Sequence, residues 1–219
     1  MFLGHYAMAF AAKKAAPHTS LGTLFIAAQF VDLLWPVLVL AGVEHVRINP
    51  GDTVMTPLDF YDYPYSHSML TGILFAVLSG LVYWMARRRK DGAIAVGACV
   101  FSHWILDLIA HRPDLPLFPG SGTRLGLGLW NSAIGTIVVE LGLFAAGVAV
   151  YTYATGTRNR TGIYRIWALV IFLLVVYIAN TVGPPPPDTG MIAYAGLSMW
   201  LLVLWAYWAD KQRNTAGGG

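Results

Sequence analysis

Six apolar runs of roughly 20 residues dominate the chain, and this is the helix length that crosses the hydrocarbon core of a bilayer. Every backbone polar group in that core needs a partner within the protein, and a helix satisfies its own. A membrane β-barrel would instead show shorter segments of alternating polarity. The composition agrees, because only 11% of the residues are charged, whereas about a quarter are charged in a typical soluble domain.

These runs predict an all-α, polytopic transmembrane helix bundle. The six long spans are expected at residues 19–43, 66–86, 92–111, 130–154, 163–182 and 190–209. A short apolar helix over residues 1–16 precedes them. We expect one transmembrane domain, residues 1–210, followed by a tail of residues 211–219 that is basic, then glycine-rich, and disordered.

Basic residues at the ends of the spans predict their orientation. They occur in four groups, at residues 13–14, 87–90, 158–165 and 211–213. When successive spans are taken to cross the membrane in opposite directions, all four groups fall on the same side of it. The positive-inside rule identifies that side as cytoplasmic. We therefore expect a multi-pass membrane protein with a cytoplasmic C-terminus. This distribution accounts for the net charge of +3, so no nucleic-acid partner is expected.

Three ionisable side chains interrupt the span at residues 92–111. His103, Asp107 and His111 are spaced four residues apart and therefore lie on one face of the helix. Such side chains are costly in hydrocarbon and are usually paired with one another or with a cation. A single histidine in a membrane helix more often bonds to a neighbouring helix than to a metal, so the spacing alone leaves both interpretations open.

Other segments are expected to bring ionisable residues to the same depth. With a rise of about 1.5 Å per residue, six of them fall in the outer half of the membrane: His5, Asp32, His67, His103, Asp107 and Glu140. Imidazoles and carboxylates are ligands of zinc, manganese and iron. This convergence predicts a divalent metal, zinc first, with manganese or iron as alternatives.

Three short motifs within residues 1–111 extend this prediction. They are Gly4-His5, Tyr65-Ser66-His67-Ser68 and Ser102-His103-x-x-x-Asp107. Together they resemble the motifs of a bacterial inner-membrane family, the membrane-bound metal-dependent hydrolases.

The resemblance implies a location in the inner membrane of a bacterium. It also implies a ligand set, which consists of His5, His67, His103 and Asp107. It also implies an acidic role for Asp32. The chain has a single aspartate where that family usually has two, and it lacks the arginine that often precedes the second motif. A site for two metals would therefore need Glu140 as a replacement carboxylate.

The combined features predict an integral-membrane metal-dependent hydrolase. Metal-bound hydroxide would attack an ester or phosphoester of a lipid or lipid-linked envelope precursor at the outer side of the membrane. Asp32 and Glu140 are the expected catalytic carboxylates. We expect Arg112, Arg124 and His111 to contact the substrate, since arginine matches phosphate in a bidentate manner.

Two other functions would use the same residues. In a transporter or another proton- or ion-handling protein, Asp32, Glu140 and His103 would relay protons. That function needs a polar path to both faces, and the inner halves of the spans carry few polar groups. In a binding or assembly factor, the metal would be structural and its coordination sphere closed. Enzymatic activity is therefore the expectation from the sequence, with these two functions as its alternatives.

Overall fold

The structure is a computed structural model that describes residues 1–157, 160–211 and 213–215. In these residues the helices are α1 (Phe2–Ala15), α2 (Leu21–Ala28), α3 (Phe30–Leu40), α4 (Met69–Arg87), α5 (Lys90–Ala110), α6 (Ala133–Ala154), α7 (Arg160–Val182) and α8 (Thr189–Asp210). The strands are β1 (His45–Ile48), β2 (Leu58–Asp62), β3 (Leu115–Pro116), β4 (Arg124–Leu125), β5 (Thr155–Thr157) and β6 (Arg213–Thr215). The strands form only two-stranded antiparallel pairs. The predicted all-α bundle is confirmed.

Five helices, α4 to α8, are long and apolar enough to cross a membrane. The remaining predicted span, residues 19–43, is divided into α2 and α3, whose axes differ by 55°. Gln29 lies at the bend with φ −104° and ψ 10°, outside the helical region. The six predicted spans thus correspond to five continuous helices and one bent pair.

The short helix α1 lies inside the bundle. Leu3, Tyr6 and Phe10 are at most 1% exposed, and the helix packs mainly against α6. A Cβ atom at Gly147 of α6 would lie 2.4 Å from the carbonyl oxygen of Ala7, so a residue other than glycine would push the two backbones apart. This close packing fixes the position of α1, which carries His5.

Buried polar contacts join several helices at one end of the bundle, which we call the basic end. Nζ of Lys13 lies 2.6 Å from Oδ2 of Asp210. Asp210 also accepts hydrogen bonds from the backbone N–H of Leu21 and from the hydroxyl of Tyr151. The lysine charge is therefore compensated where α1, α2, α6 and α8 meet.

Part of the C-terminal tail also lies at the basic end. Residues 213–215, which the sequence predicts to be disordered, pair as β6 with β5. Arg213 anchors the strand, because its guanidinium donates to the carbonyl and hydroxyl oxygens of Thr155. Residues 212 and 216–219 of the predicted tail, and Arg158 of the predicted basic groups, lie outside the described residues.

Two connections cover the opposite end of the bundle, which we call the capped end. Residues 44–65 contain the β1–β2 hairpin, and residues 112–129 contain β3 and β4. The backbone N–H of Met55 donates to the carbonyl of Trp130 at 3.2 Å, so the loop between β1 and β2 is attached to the start of α6. The predicted metal ligands lie beneath this cover.

Candidate metal centre

Histidines and aspartates from four segments converge near the capped end. Two groups have ligand atoms that all lie within 4.8 Å of one another: His5, His103 and Asp107 form one, and Asp32, His67 and His103 form the other. Because His103 belongs to both, the two groups form a single cluster. All four predicted metal ligands belong to it, and Asp32 joins them.

Two imidazoles and two carboxylates alternate around the centre of this cluster. Nε2 of His67 lies 3.4 Å from Oδ1 of Asp32 and 3.9 Å from Oδ2 of Asp107. Nε2 of His103 lies 3.5 Å and 3.1 Å from the same two oxygens. Ligands of one zinc ion, each bound at about 2.1 Å, are separated by roughly 3.0–3.5 Å. The four atoms are therefore spaced much like the ligands of a single ion.

His5 lies on the buried side of the cluster, next to the second oxygen of Asp107. Its Nε2 is 3.1 Å from Oδ1 of Asp107, and its ring stacks on that of His103 with centroids 3.6 Å apart. The charged amino group of Met1 lies 2.7 Å from the same oxygen and forms an ion pair with Asp107. Asp107 thus connects Asp32, His67 and His103 to α1.

Hydrogen bonding determines which nitrogen of His103 carries the proton. Nδ1 lies 2.8 Å from the carbonyl oxygen of Ala28, and a carbonyl can only accept, so Nδ1 is the donor. Nε2 faces the two carboxylates, and among the described residues it has no hydrogen-bond partner. A buried lone pair 3.1 Å from a carboxylate oxygen is unfavourable unless a cation or a proton lies between them.

Ser66 and Glu44 orient His67 in the same way. The hydroxyl of Ser66 donates to Oε2 of Glu44 at 2.6 Å, so it accepts a hydrogen bond from Nδ1 of His67, also at 2.6 Å. Nε2 of His67 is then free to bind a cation. Glu44 is fully buried, and it also accepts the backbone N–H groups of Tyr65 and Ser66. Histidines fixed through their second nitrogen are typical of metal centres.

The sequence did not predict the roles of Glu44 and Ala28. Glu44 lies in the connection after α3, where it looked like one of several acidic loop residues. Ala28 acts through its carbonyl at the end of α2, and a backbone atom leaves no trace in the residue pattern. Only Ser66 gave a local indication of such a contact. It directly precedes the candidate ligand His67, and a hydroxyl in that position can hydrogen-bond to the imidazole ring.

Only one of the two predicted catalytic carboxylates lies in the cluster. Asp32 belongs to the cluster, and its side chain is 31% exposed. Glu140 lies outside both groups of ligand atoms. Its Oε2 accepts the backbone N–H groups of Leu3 and Gly4 at 2.6 and 3.3 Å. Glu140 thus satisfies free N–H groups in the first turn of α1 and holds the helix that carries His5.

The two predicted substrate-binding arginines are engaged within the protein. Arg112 forms ion pairs with three carboxylates, those of Asp52, Asp59 and Asp114. Its charge is therefore compensated by these carboxylates. Arg124 donates to a backbone carbonyl of its own loop at 3.1 Å. Neither arginine lines the cavity beside the cluster.

His111, also predicted to contact the substrate, does lie beside the cluster. Its Nε2 is 3.8 Å from Oδ1 of Asp107, and its Nδ1 is 3.1 Å from Oδ1 of Asp114. The hydroxyl of Tyr63 donates to the same Asp114 oxygen at 2.6 Å. Burial and the nearby Asp114 raise the pKa of Tyr63 well above its usual value, so Tyr63 stays a neutral donor and holds the pair in place.

The cluster opens into a cavity of about 600 Å³. Asp32, His67, Asp107 and His111 form its polar wall. The other walls come mainly from apolar residues of α3, β2, α7 and α8. Small molecules usually bind in cavities of this size and polarity, so a ligand could reach the metal-binding atoms from this side.

Comparisons of the chain with protein-family models, curated proteins and solved structures find no match. The resemblance carried by the three motifs therefore gains no support from them. Function has to be inferred from the geometry of the cluster and its cavity.

Proposed function

We propose that the chain is an integral-membrane, metal-dependent hydrolase. His67, His103 and Asp107 would bind one divalent metal ion, with Asp32 on its exposed side and His5 beside them. One observation carries the proposal: each Nδ1 of His67 and His103 is fixed by a second bond, while each Nε2 points at the same pair of carboxylates. Both imidazoles are thus oriented for metal binding before any ion arrives.

The charges of the cluster favour a cation. Asp32 and Asp107 carry two negative charges into a largely buried setting, where an uncompensated charge is expensive. The amino group of Met1, 2.7 Å from Oδ1 of Asp107, offsets part of this charge. A bound cation would balance the remainder while the imidazoles remain neutral. Two imidazoles and one carboxylate are a ligand set of catalytic zinc, and manganese and iron accept the same set.

The exposure of Asp32 supports catalysis rather than a closed structural site. A structural zinc ion is enclosed by four protein ligands, whereas a catalytic one keeps a position open to water or substrate. The side chain of Asp32 is 31% exposed, while that of Asp107 is 3% exposed. Asp32 also lines the cavity. A water molecule could therefore approach the centre from the side of Asp32.

Hydrolysis of an ester or phosphoester fits this arrangement. The bound metal would supply a water molecule of lowered pKa and would polarise the substrate. Asp32 would accept a proton from the attacking water as the new bond to carbon or phosphorus forms. The ester C–O or P–O bond then breaks, and the proton passes to the leaving alcohol. The reaction consumes one water and needs no oxidant or reductant.

The position of the cluster supports a substrate from the membrane. It lies towards the capped end, away from the contacts of Lys13 and Arg213 at the basic end. With basic residues on the cytoplasmic side, the cluster would face the outer half of a bacterial inner membrane. A lipid or lipid-linked envelope precursor is the substrate class that this location favours.

The packing below the cluster disfavours a proton or ion pathway. Leu24, Phe25 and Val100 are at most 1% exposed and belong to an apolar core between the cluster and the basic end. A relay through the bundle would need polar groups or water there. The cavity instead lies to one side of the cluster, as a substrate site requires.

Metal analysis and hydrolysis together test the proposal. Protein purified in detergent without chelators should contain about one zinc, manganese or iron ion per chain, and His103→Ala should lose it. Fluorogenic ester and phosphodiester substrates should be cleaved by the loaded protein, and cleavage should stop on chelation. Metal-free protein whose thermal stability is unchanged by chelators or added zinc would contradict the proposal.

A further inference from the structure

The cavity beside the cluster is elongated along the helices. On α8 its lining extends from Ile192 to Trp205, which is about 20 Å of helix. On α7 it extends from Phe172 to Asn180, or about 12 Å. The hydrocarbon core of one bilayer leaflet is about 15 Å thick. The cavity is thus about as long as the tail of a lipid in one leaflet.

Polarity changes along this length. The ionisable lining residues, Asp32, His67, Asp107 and His111, all belong to the region of the cluster. Among the described residues, none that α7 or α8 contributes to the lining is ionisable, and the part furthest from the capped end is formed by Phe172, Leu201, Leu202 and Trp205. That part suits hydrocarbon, because a charged ligand would lose its hydration without gaining a partner.

The wall formed by α7 and α8 is open to its surroundings. Leu201 is 67% exposed and Phe172 is 43% exposed, although both line the cavity. Both helices are long and apolar enough to span a membrane, so these side chains would face lipid tails. A hydrocarbon chain could therefore enter from the bilayer between α7 and α8 without crossing water.

A second cavity, of about 640 Å³, adjoins the first at the capped end. The two cavities share seven lining residues, among them Phe2, Thr56 and Trp130. The second cavity is also bounded by residues from the 50–58 loop and the proline-rich connection at residues 183–187. It offers space for a polar group on the side of the cluster that faces away from the membrane centre.

We infer that the first cavity binds the hydrocarbon tail of a membrane amphiphile, which enters between α7 and α8. The tail would lie along Phe172 and Leu202, the ester or phosphoester at the metal cluster, and the polar group in the second cavity. This substrate class, a tail joined to a polar alcohol by one scissile bond, rests on the proposed function. The binding of the tail itself does not depend on turnover.

Photo-crosslinking tests tail binding without requiring catalysis. The full chain would be placed in phosphatidylethanolamine–phosphatidylglycerol vesicles with a trace of a palmitoyl lysophospholipid that carries a diazirine at the end of its tail. Leu202 is buried from bulk lipid and lines the cavity, whereas Val203 is equally buried but does not. We expect label on Leu202 and Trp205 and none on Val203. Label confined to lipid-facing residues such as Leu204 would overturn the inference.

Two adjacent valines provide matched variants. Val176 lines the cavity, while Val175 is 56% exposed and does not. Val176→Trp should reduce labelling of Leu202 about tenfold, which corresponds to about 1.4 kcal/mol of binding, and Val175→Trp should leave it unchanged. Equal labelling in both variants would count against a tail in the cavity. Leu201→Trp, at an exposed lining position, replaces Val176→Trp if the latter fails to give monodisperse protein.

Hydrolysis then separates this inference from the proposed function. With 4-nitrophenyl esters from butyryl to palmitoyl, kcat/KM of the zinc-loaded protein should rise with tail length, and Val176→Trp should remove the rise. Hydrolysis without any dependence on tail length would overturn the tail site and leave the hydrolase standing. Label on Leu202 without metal-dependent hydrolysis would support the tail site and remove the proposed reaction.

Discussion

Nδ1 of His103 lies 2.8 Å from the carbonyl oxygen of Ala28, at the point where α2 ends and the chain bends towards α3. The bend therefore does two things for the centre. It presents a backbone acceptor that orients His103, and it brings Asp32, in the first turn of α3, to 3.5 Å from Nε2 of the same ring. A straight helix over residues 19–43 would have its carbonyls occupied by its own N–H groups.

The hydroxyl of Ser66 should be needed for tight metal binding. Ser66→Ala removes the acceptor that fixes Nδ1 of His67 and leaves Glu44 without one of its donors. Loss of such a supporting contact typically weakens metal affinity about 10- to 100-fold. Competition with a fluorescent zinc chelator measures the affinity.

Ser68→Ala is the matched control for that experiment. Ser68 caps α4 through the backbone N–H of Thr71. In the described residues its hydroxyl bonds to Thr71 and forms no hydrogen bond with the cluster. Its loss should cost about 1 kcal/mol of stability and leave zinc affinity unchanged. Equal losses of affinity in both serine variants would show that Ser66 does not act through His67.

Glu140 should matter for the stability of α1 more than for the chemistry. Glu140→Ala removes the acceptor of two buried N–H groups, on Leu3 and Gly4, at a cost of about 1–3 kcal/mol. Thermal unfolding in detergent should register this loss, while metal content should stay the same. Full stability combined with lost hydrolysis would instead support the catalytic role predicted from the sequence.

The contact between α1 and α6 should tolerate no side chain at Gly147. A Cβ in Gly147→Ala would meet the carbonyl of Ala7 at 2.4 Å, and overpacking of this kind costs about 1–3 kcal/mol. Gly142→Ala, on the same helix, has no atom within 4 Å of its new Cβ and should be neutral or stabilising by up to about 1 kcal/mol. Comparison of the two melting temperatures checks the prediction, and a fall in Gly142→Ala alone would contradict it.

Removal of the metal should destabilise the whole bundle. Without the ion, the buried carboxylate of Asp107 and its neighbour Asp32 lose a compensating charge. An ion at 100 times its dissociation constant adds about 2.7 kcal/mol to stability. Unfolding should therefore occur at lower temperature after chelation and recover with added zinc. In Asp32→Asn, which removes one of the two charges, the response to chelation should be smaller.

The spans and the convergence of the ligands could be predicted from the sequence because both depend on position along a helix axis. His103 and Asp107 could be paired from their spacing of four residues, and His5, Asp32 and His67 from their expected depth. Depth does not determine the direction in which a side chain points. For this reason Glu140, in the same half of the membrane, is predicted as a catalytic carboxylate of the cluster although it caps α1.

Contacts between distant loops could not be predicted from the pattern. Two of the three carboxylates that surround Arg112 belong to Asp52 and Asp59, in the other connection at the capped end. No spacing along the chain relates these two residues to Arg112. The same holds for Glu44, which reaches Ser66 only because the β1–β2 hairpin returns the chain to the capped end. Such contacts depend on how the connections fold over the bundle.

X-ray absorption at the zinc edge, on zinc-loaded full-length protein in detergent, tests the central claim most directly. The account predicts one zinc per chain with two imidazole nitrogens and carboxylate oxygens at about 2.0–2.2 Å. In His67→Ala and His103→Ala the imidazole contribution should fall by half or the ion should be lost, while His45→Ala, in the exposed β1 strand, should leave the spectrum unchanged. A spectrum without imidazole scattering, or one that is identical in all three variants, would contradict a metal centre at this cluster.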